Sequence, residues 1–101
     1  MIDKEVKLFH NCVITNLLIN ICKYSTPEMV KYIIDIYVEK EYDLQCKDNN
    51  DWQPIHYICR NSTPEMIKYI IDIYIDKGYE LLCKNNDGET ALELISKNTH
   101  I

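Results

Sequence analysis

The sequence predicts an all-α protein built as a helical-hairpin solenoid of about two and a half repeats. Three observations predict it. A segment recurs at an offset of 37 residues: comparing residues 22–51 with 59–88 gives 19 identities in 30 positions. Apolar residues inside the repeat follow helical spacing. Turn-forming residues punctuate the chain at the same interval.

The first unit covers about residues 11–47. Its clearest mark is Ser25-Thr26-Pro27-Glu28-Met29, which returns as Ser62-Thr63-Pro64-Glu65-Met66. Upstream, Asn11 to Leu18 aligns weakly with the start of the second unit's first helix. This unit has no Gly or His, and no Pro to open its first helix.

The second unit, about 48–84, is the most legible. Pro54 opens a short helix to Arg60, since Pro suits the first helical turn. Ile55, Ile58 and Cys59 share one face at i, i+3, i+4. Asn61-Ser62 interrupts the pattern. A second helix starts at Thr63-Pro64, with Thr63 or Ser62 as N-cap and Glu65 in the favourable first turn. It runs to about Lys77, and Gly78 suits the position after its end. Ile67, Ile70, Ile71 and Tyr74 line one face, widened by Met66, Tyr69 and Ile73. A helix that apolar touches its partner and a neighbour on each side. That is the logic of stacked repeats, which cannot bury their faces alone.

The third unit, 85–101, is partial. Asn85-Asn86-Asp87-Gly88 is a turn, and Thr90 to Lys97 is a first helix with no second. The flank of the helix at 64–77 therefore lacks a following helix. Marginal stability or self-association through that end is the expectation.

Composition narrows the functional classes. The chain has 101 residues, 47% of them hydrophobic, and a formal charge of −5. One small domain spanning 1–101 is expected. An acidic chain does not supply the basic footprint that nucleic acid requires. No segment approaches the ~20 apolar residues of a membrane span. The N-terminus has no apolar leader, which predicts an intracellular, cytoplasmic protein. Five cysteines in a reducing setting are read as free thiols. Sixteen Ile, ten Lys, nine Asn and eight Tyr against one Arg and one Ala point to an A/T-rich genome.

These residues resemble the ankyrin repeat. Asp48-Asn49-Asn50-Asp51-Trp52-Gln53-Pro54-Ile55-His56 follows that family's turn and its Pro-Leu-His opening. Glu65-Met66-Ile67-Lys68-Tyr69-Ile70-Ile71 follows its second helix. Asp51 stands where the family has Gly, and Gln53 where it has Thr. The period of 37 exceeds the usual ~33 by about one turn of the second helix, near Ile73 to Asp76. The long helix and the Ile/Asn/Tyr richness are most similar to ankyrin-repeat proteins of giant DNA viruses of amoebae. The resemblance implies a non-catalytic scaffold that binds a protein partner, for a viral member a host protein. It implies no cofactor and no shared catalytic residue. Carried over by position, the partner-binding surface is Asn49, Asn50, Trp52, Tyr57, Arg60, Asn61, Asn86, Asp87 and Glu89, extended by Lys97 and Asn98. Members of such viruses engage host factors including ubiquitin-ligase machinery, but no F-box-like segment is recognisable here.

Each candidate has a plainer reading. Trp52 at a turn tip either meets a partner, as interface aromatics do, or packs on Tyr57. His56 matches a residue that bonds neighbouring turns, a structural role. His56 and Cys59 could share a helix face, but zinc needs four convergent ligands and there is no Cys-x-x-Cys pair. Cys22/Cys59 and Cys46/Cys83 recur with the period, as small core residues do. Asp35 with Glu39, and Asp72 with Asp76, are carboxylates at i, i+4. With no convergent nucleophile they read as a solvated outer face beside Lys31 and Lys68. Tyr32, Tyr37, Tyr69 and Tyr74 read as packing residues with hydroxyls at the rim. Against protein binding stand a self-associating structural protein, a decayed paralogue without a partner, and a small thiol or metal protein.

Overall fold

The computed structural model describes the backbone of residues 4–99 and side chains from residue 13 onward. The helices are α1 (Lys4–Tyr24), α2 (Pro27–Glu39), α3 (Pro54–Asn61), α4 (Pro64–Lys77) and α5 (Ala91–Leu94), the last continued by a 3₁₀ turn, Ile95–Lys97. Among the described residues there is no strand, only an isolated bridge between Lys84 and Thr90.

Three of these helices open the same way. Thr26, Thr63 and Thr90 sit in extended backbone just before α2, α4 and α5. Each accepts, through Oγ1, the N–H three residues on: Met29 at 3.2 Å, Met66 at 3.3 Å and Glu93 at 3.2 Å. That satisfies one of the orphan donors at a helix start. Thr63 rather than Ser62 is thus the cap of α4. The first helix is longer than its repeat alignment predicts: α1 has 21 residues. Neither Pro nor Gly falls between Lys4 and Tyr24 to stop it.

The first helices, α1, α3 and α5, lie side by side, with α3 in the middle. Every residue from Pro54 to Cys59 is buried. α2 packs on α1 and α4 on α3. Ile67, Ile70 and Tyr74 are buried, and Tyr69, Ile71 and Ile73 pack partly against the same core. The wide apolar face of α4 is used as a stack requires.

Two tyrosines depart from expectation. Tyr37 and Tyr74, one repeat apart, are buried, and their hydroxyls are not at the rim. Tyr37 donates to the Ile14 carbonyl at 2.6 Å. Tyr74 bonds the Leu44 carbonyl at 3.1 Å and Gln53 Oε1 at 2.8 Å. Each ring also stands edge-on to a second tyrosine, Tyr42 at 5.4 Å and Tyr79 at 5.1 Å. Tyr74 lies in the extra helical turn, so the lengthened repeat carries a brace to the unit before it. Asp35 is likewise more than a solvated charge: it pairs with Lys31 at 3.2 Å and accepts the Tyr69 hydroxyl.

The turns repeat their backbone as well. Glu41 and Gly78 have φ of 59° and 71°, and Asp51 and Gly88 have 60° and 75°. Both pairs are 37 residues apart. The second copy of each site places glycine where left-handed backbone is needed; the first copy places a residue with a Cβ, which costs of order 1–2 kcal/mol there. Glu41→Gly and Asp51→Gly should each stabilise the fold by about 0.5–1 kcal/mol, while Gly78→Ala and Gly88→Ala should destabilise it by about 1 kcal/mol. Urea unfolding of the four variants checks this; a loss of stability in Asp51→Gly would contradict it.

Candidate functional site

The turn tips are built by one device used twice. Asp48 Oδ1 accepts the N–H groups of Asn50 at 2.9 Å and Trp52 at 3.0 Å. At the equivalent place Asn85 Oδ1 accepts those of Asp87 at 2.9 Å and Glu89 at 3.0 Å. Short polar side chains make this local turn well. The two tips are then tied together, because the Asn86 N–H donates to the Asn50 carbonyl at 3.0 Å.

His56 anchors the tips to the helices from below. Its Nδ1 accepts the Gln53 N–H at 2.9 Å, so Nε2 carries the proton and donates to the Cys83 carbonyl at 3.0 Å. The residue is 1% exposed. Burial pushes its pKa below 6.5 despite the hydrogen bonds that favour charge. This is the structural role that the sequence suggests.

Trp52 and Tyr57 form the wall above. Their ring centroids are 4.7 Å apart and tilted 32°. Trp52 is half-buried and keeps one side in solvent. Tyr57 is buried, and its hydroxyl donates to Asp48 Oδ2. Burial alone would raise the Asp48 pKa, but the bonds from Tyr57, Trp52 and Asn50 outweigh it and hold the carboxyl low. Burial and that same carboxylate push the Tyr57 phenol up.

Between the tips and the first helices lies a cleft of about 440 Å³, lined by Lys23, Asn50, Trp52, Tyr57, Asn86 and Asp87. Five of these six belong to the surface inferred from the sequence. Asn49 is exposed on the first tip beside it. Glu89 is half-buried and bonded to Lys97, which chiefly lowers its pKa. Arg60 is half-buried and Asn61 exposed at the far end of α3.

Burial removes two residues from the exposed set. Tyr57 supports Trp52 from beneath and offers a partner little surface. Asn98 is 6% exposed, and its amide donates to the carbonyls of Cys59 at 2.9 Å and Ser62 at 2.8 Å. It closes the end of α3.

Lys23 was missed by carrying over the family's pattern, because its unit lacks the Pro-Leu-His signature. The repeat offset would have found it: Lys23 is Arg60 one repeat earlier. Its ammonium sits 5.6 Å from the Tyr57 ring centroid and 5.2 Å from that of Tyr24, a cation–π arrangement. Among the described residues no carboxylate lies within salt-bridge distance of it.

A second groove, about 380 Å³, runs between α2 and α4, with Lys31 lying 4.7 Å over the Tyr69 ring. Pro27, Met66 and Tyr69 line it together with Glu28, Glu65 and Thr63.

Three of the cysteines are held as protonated thiols. Burial pushes Cys22 and Cys59 up to about 12 and Cys46 up to about 11, far from the thiolate range. Among the described residues no three His, Cys, Asp or Glu side chains gather to hold a metal ion. No described helix is long and apolar enough to cross a membrane.

Comparison with known proteins adds one finding. A family model described as ankyrin repeats, three copies, matches residues 18–101. A comparison with curated proteins finds no match.

Since His56 is held neutral in the folded state and titrates near 6.5 when unfolded, its contribution to stability is present above that pH. It is lost as the pH falls below 6.5 towards the depressed folded value. Asp48, lowered from 3.8, contributes its own loss only in more acid solution. The urea midpoint should therefore fall between pH 7.5 and 5.5 in the native chain and fall less in His56→Gln. An equal fall in both would place the sensitivity elsewhere.

Proposed function

The chain belongs to the ankyrin-repeat family, whose repeats generally mediate protein–protein interaction, and on that premise we propose that it is a non-catalytic protein-binding module whose partner seats in the cleft between the turn tips and the first helices. The observation that carries this reading is the placement of Trp52. Its ring is held in one orientation by Tyr57 beneath it, yet lines an open cleft with Lys23, Asn50, Asn86 and Asp87. Rigid aromatic anchors with a nearby cation are what hot spots are made of, because little side-chain entropy is lost on binding. The tie between the Asn86 N–H and the Asn50 carbonyl holds the two tips at a fixed spacing before any partner arrives.

The free thiols of Cys22, Cys46, Cys59 and Cys83 favour an intracellular, reducing setting. The A/T-rich composition and long repeat direct the search for a partner to lysates of amoebae infected by giant DNA viruses, with host proteins as prey.

Self-association is a second reading, with its own observation. Val38 is half-buried, whereas its repeat equivalent Ile75 is 62% exposed. Leu18 and Ile55 are buried, whereas their equivalent Leu92 is 39% exposed. An apolar side of α4 and α5 therefore stands open.

Affinity capture tests the first reading. A specific prey retained by the native chain should be reduced by at least about tenfold with Trp52→Ala, and also with Lys23→Glu. It should be retained by Tyr32→Ala, which alters the outer helix, with helical content unchanged in all three. Prey captured equally by every variant would remove the cleft from the interaction. Light scattering across a concentration series tests the second reading: a mass that rises with concentration, and does not in Ile75→Glu, would establish self-association, and a constant monomer mass would exclude it.

A further inference from the structure

We propose that a crevice at the α1–α2 junction receives a primary carboxamide, the side chain of an Asn or Gln on the bound partner; as an account of that partner it rests on the tip-cleft reading above. The two hairpin junctions are the same structure one repeat apart: Ser25 and Ser62 donate their N–H groups to the Ile21 and Ile58 carbonyls, and Thr26 and Thr63 cap the helices that follow. At the α3–α4 junction the Asn98 amide nitrogen donates to the carbonyls of Cys59 and Ser62, at 2.9 and 2.8 Å. Thirty-seven residues earlier the corresponding carbonyls are those of Cys22 and Ser25, and the corresponding amide is Asn61.

Asn61 does not do what Asn98 does. It is exposed, and among the described residues its side chain makes no hydrogen bond. A crevice of about 120 Å³ is found there, bordered by Cys22, Lys23, Ser25, Asn61 and Ser62. Ser62 is 8% exposed, and its hydroxyl is the buried side-chain polar atom that finds no partner among the described residues. A buried hydroxyl left unbonded is costly, about 1–3 kcal/mol, and such a group marks a place where a bond is made to something else.

The polar groups decide what that something is. The Cys22 and Ser25 carbonyls, at the end of α1, call for N–H donors and disfavour a carboxylate, because the carbonyl end of a helix carries partial negative charge. The Lys23 ammonium on the rim disfavours a second cation. The Ser62 hydroxyl and Lys23 together offer donors to an oxygen. A neutral group with two N–H donors and one carbonyl acceptor meets all of these demands, and among side chains that is the amide of Asn or Gln. Asn98 already shows the fit at the sister junction. Lys23 borders both this crevice and the tip cleft, so one partner segment can reach the two sites along the face of the first helices.

The test uses the full chain and a small probe, independent of any partner. In ¹⁵N-resolved NMR titrations, propionamide should give saturable shifts confined to residues 22–25 and 61–62. Propionate and propylammonium should bind that place at least about tenfold more weakly. Ser62→Ala should weaken propionamide by a similar factor and, by removing an unsatisfied buried hydroxyl, raise the melting temperature of the free chain. Trp52→Ala should leave propionamide binding unchanged, so this result stands or falls apart from the tip-cleft reading. Equal binding of propionate, shifts without saturation, or a Ser62→Ala variant that melts lower with probe binding unaltered would each overturn the proposal.

Discussion

A helical hairpin of this size leaves backbone carbonyls at its ends that nothing inside the hairpin can reach. A buried carbonyl without a partner costs more than a typical hydrogen bond returns. The stack answers this by having one layer supply the donor that another lacks. Tyr74 reaches back to the Leu44 carbonyl, Asn98 to those of Cys59 and Ser62, and the Asn86 N–H to that of Asn50. The apolar face of each helix has the same dependence on its neighbours. No layer is complete alone, and α3, buried along nearly its whole length, is where the obligations meet.

The exposed face inherits its geometry from these bonds. Trp52 lines the cleft in one orientation because Tyr57 lies under it, and Tyr57 is held by Asp48. Asp48 in turn shapes the first tip, and His56 ties the helix below to the strand-like segment that enters the second tip. A side chain on the surface is thus positioned through three buried or half-buried partners.

Periodicity made the layers legible. The 37-residue offset and the Thr-Pro openings predict α2 and α4 closely, and Pro54 predicts the start of α3, because helix starts are decided by local chemistry: a proline in all three, and in α2 and α4 a threonine cap and an acidic first turn. The extent of α1 was not legible, since the absence of a breaker carries no boundary. Nor were the destinations of the hydroxyls of Tyr37 and Tyr74. Helical spacing assigns a residue to a face, but whether its far end meets water or a carbonyl depends on how closely two layers approach. The same limit applies to the candidate surface. Asn50, Trp52, Asn86 and Asp87 could be placed at the cleft by alignment, whereas the burial of Tyr57 and Asn98 depends on three-dimensional neighbours. Lys23 lies between these cases, invisible to the family's pattern yet implied by Arg60 through the offset.

The distances along the chain over which these layers are joined bear on how the protein reaches its fold. Among the described residues the longest-range side-chain bond, from Asn98 to Cys59, spans 39 residues. That is about one repeat. Contacts this local close small loops, so little entropy is lost before they form, and chains of this kind fold quickly for their size. Nucleation can begin in one hairpin and spread to the next by docking. The turns give the order a bias. The turns that follow the second hairpin have glycine at both left-handed positions, where those that follow the first have Glu41 and Asp51, so the ordering of residues 54–88 meets less local opposition and the first hairpin is the one that condenses onto it.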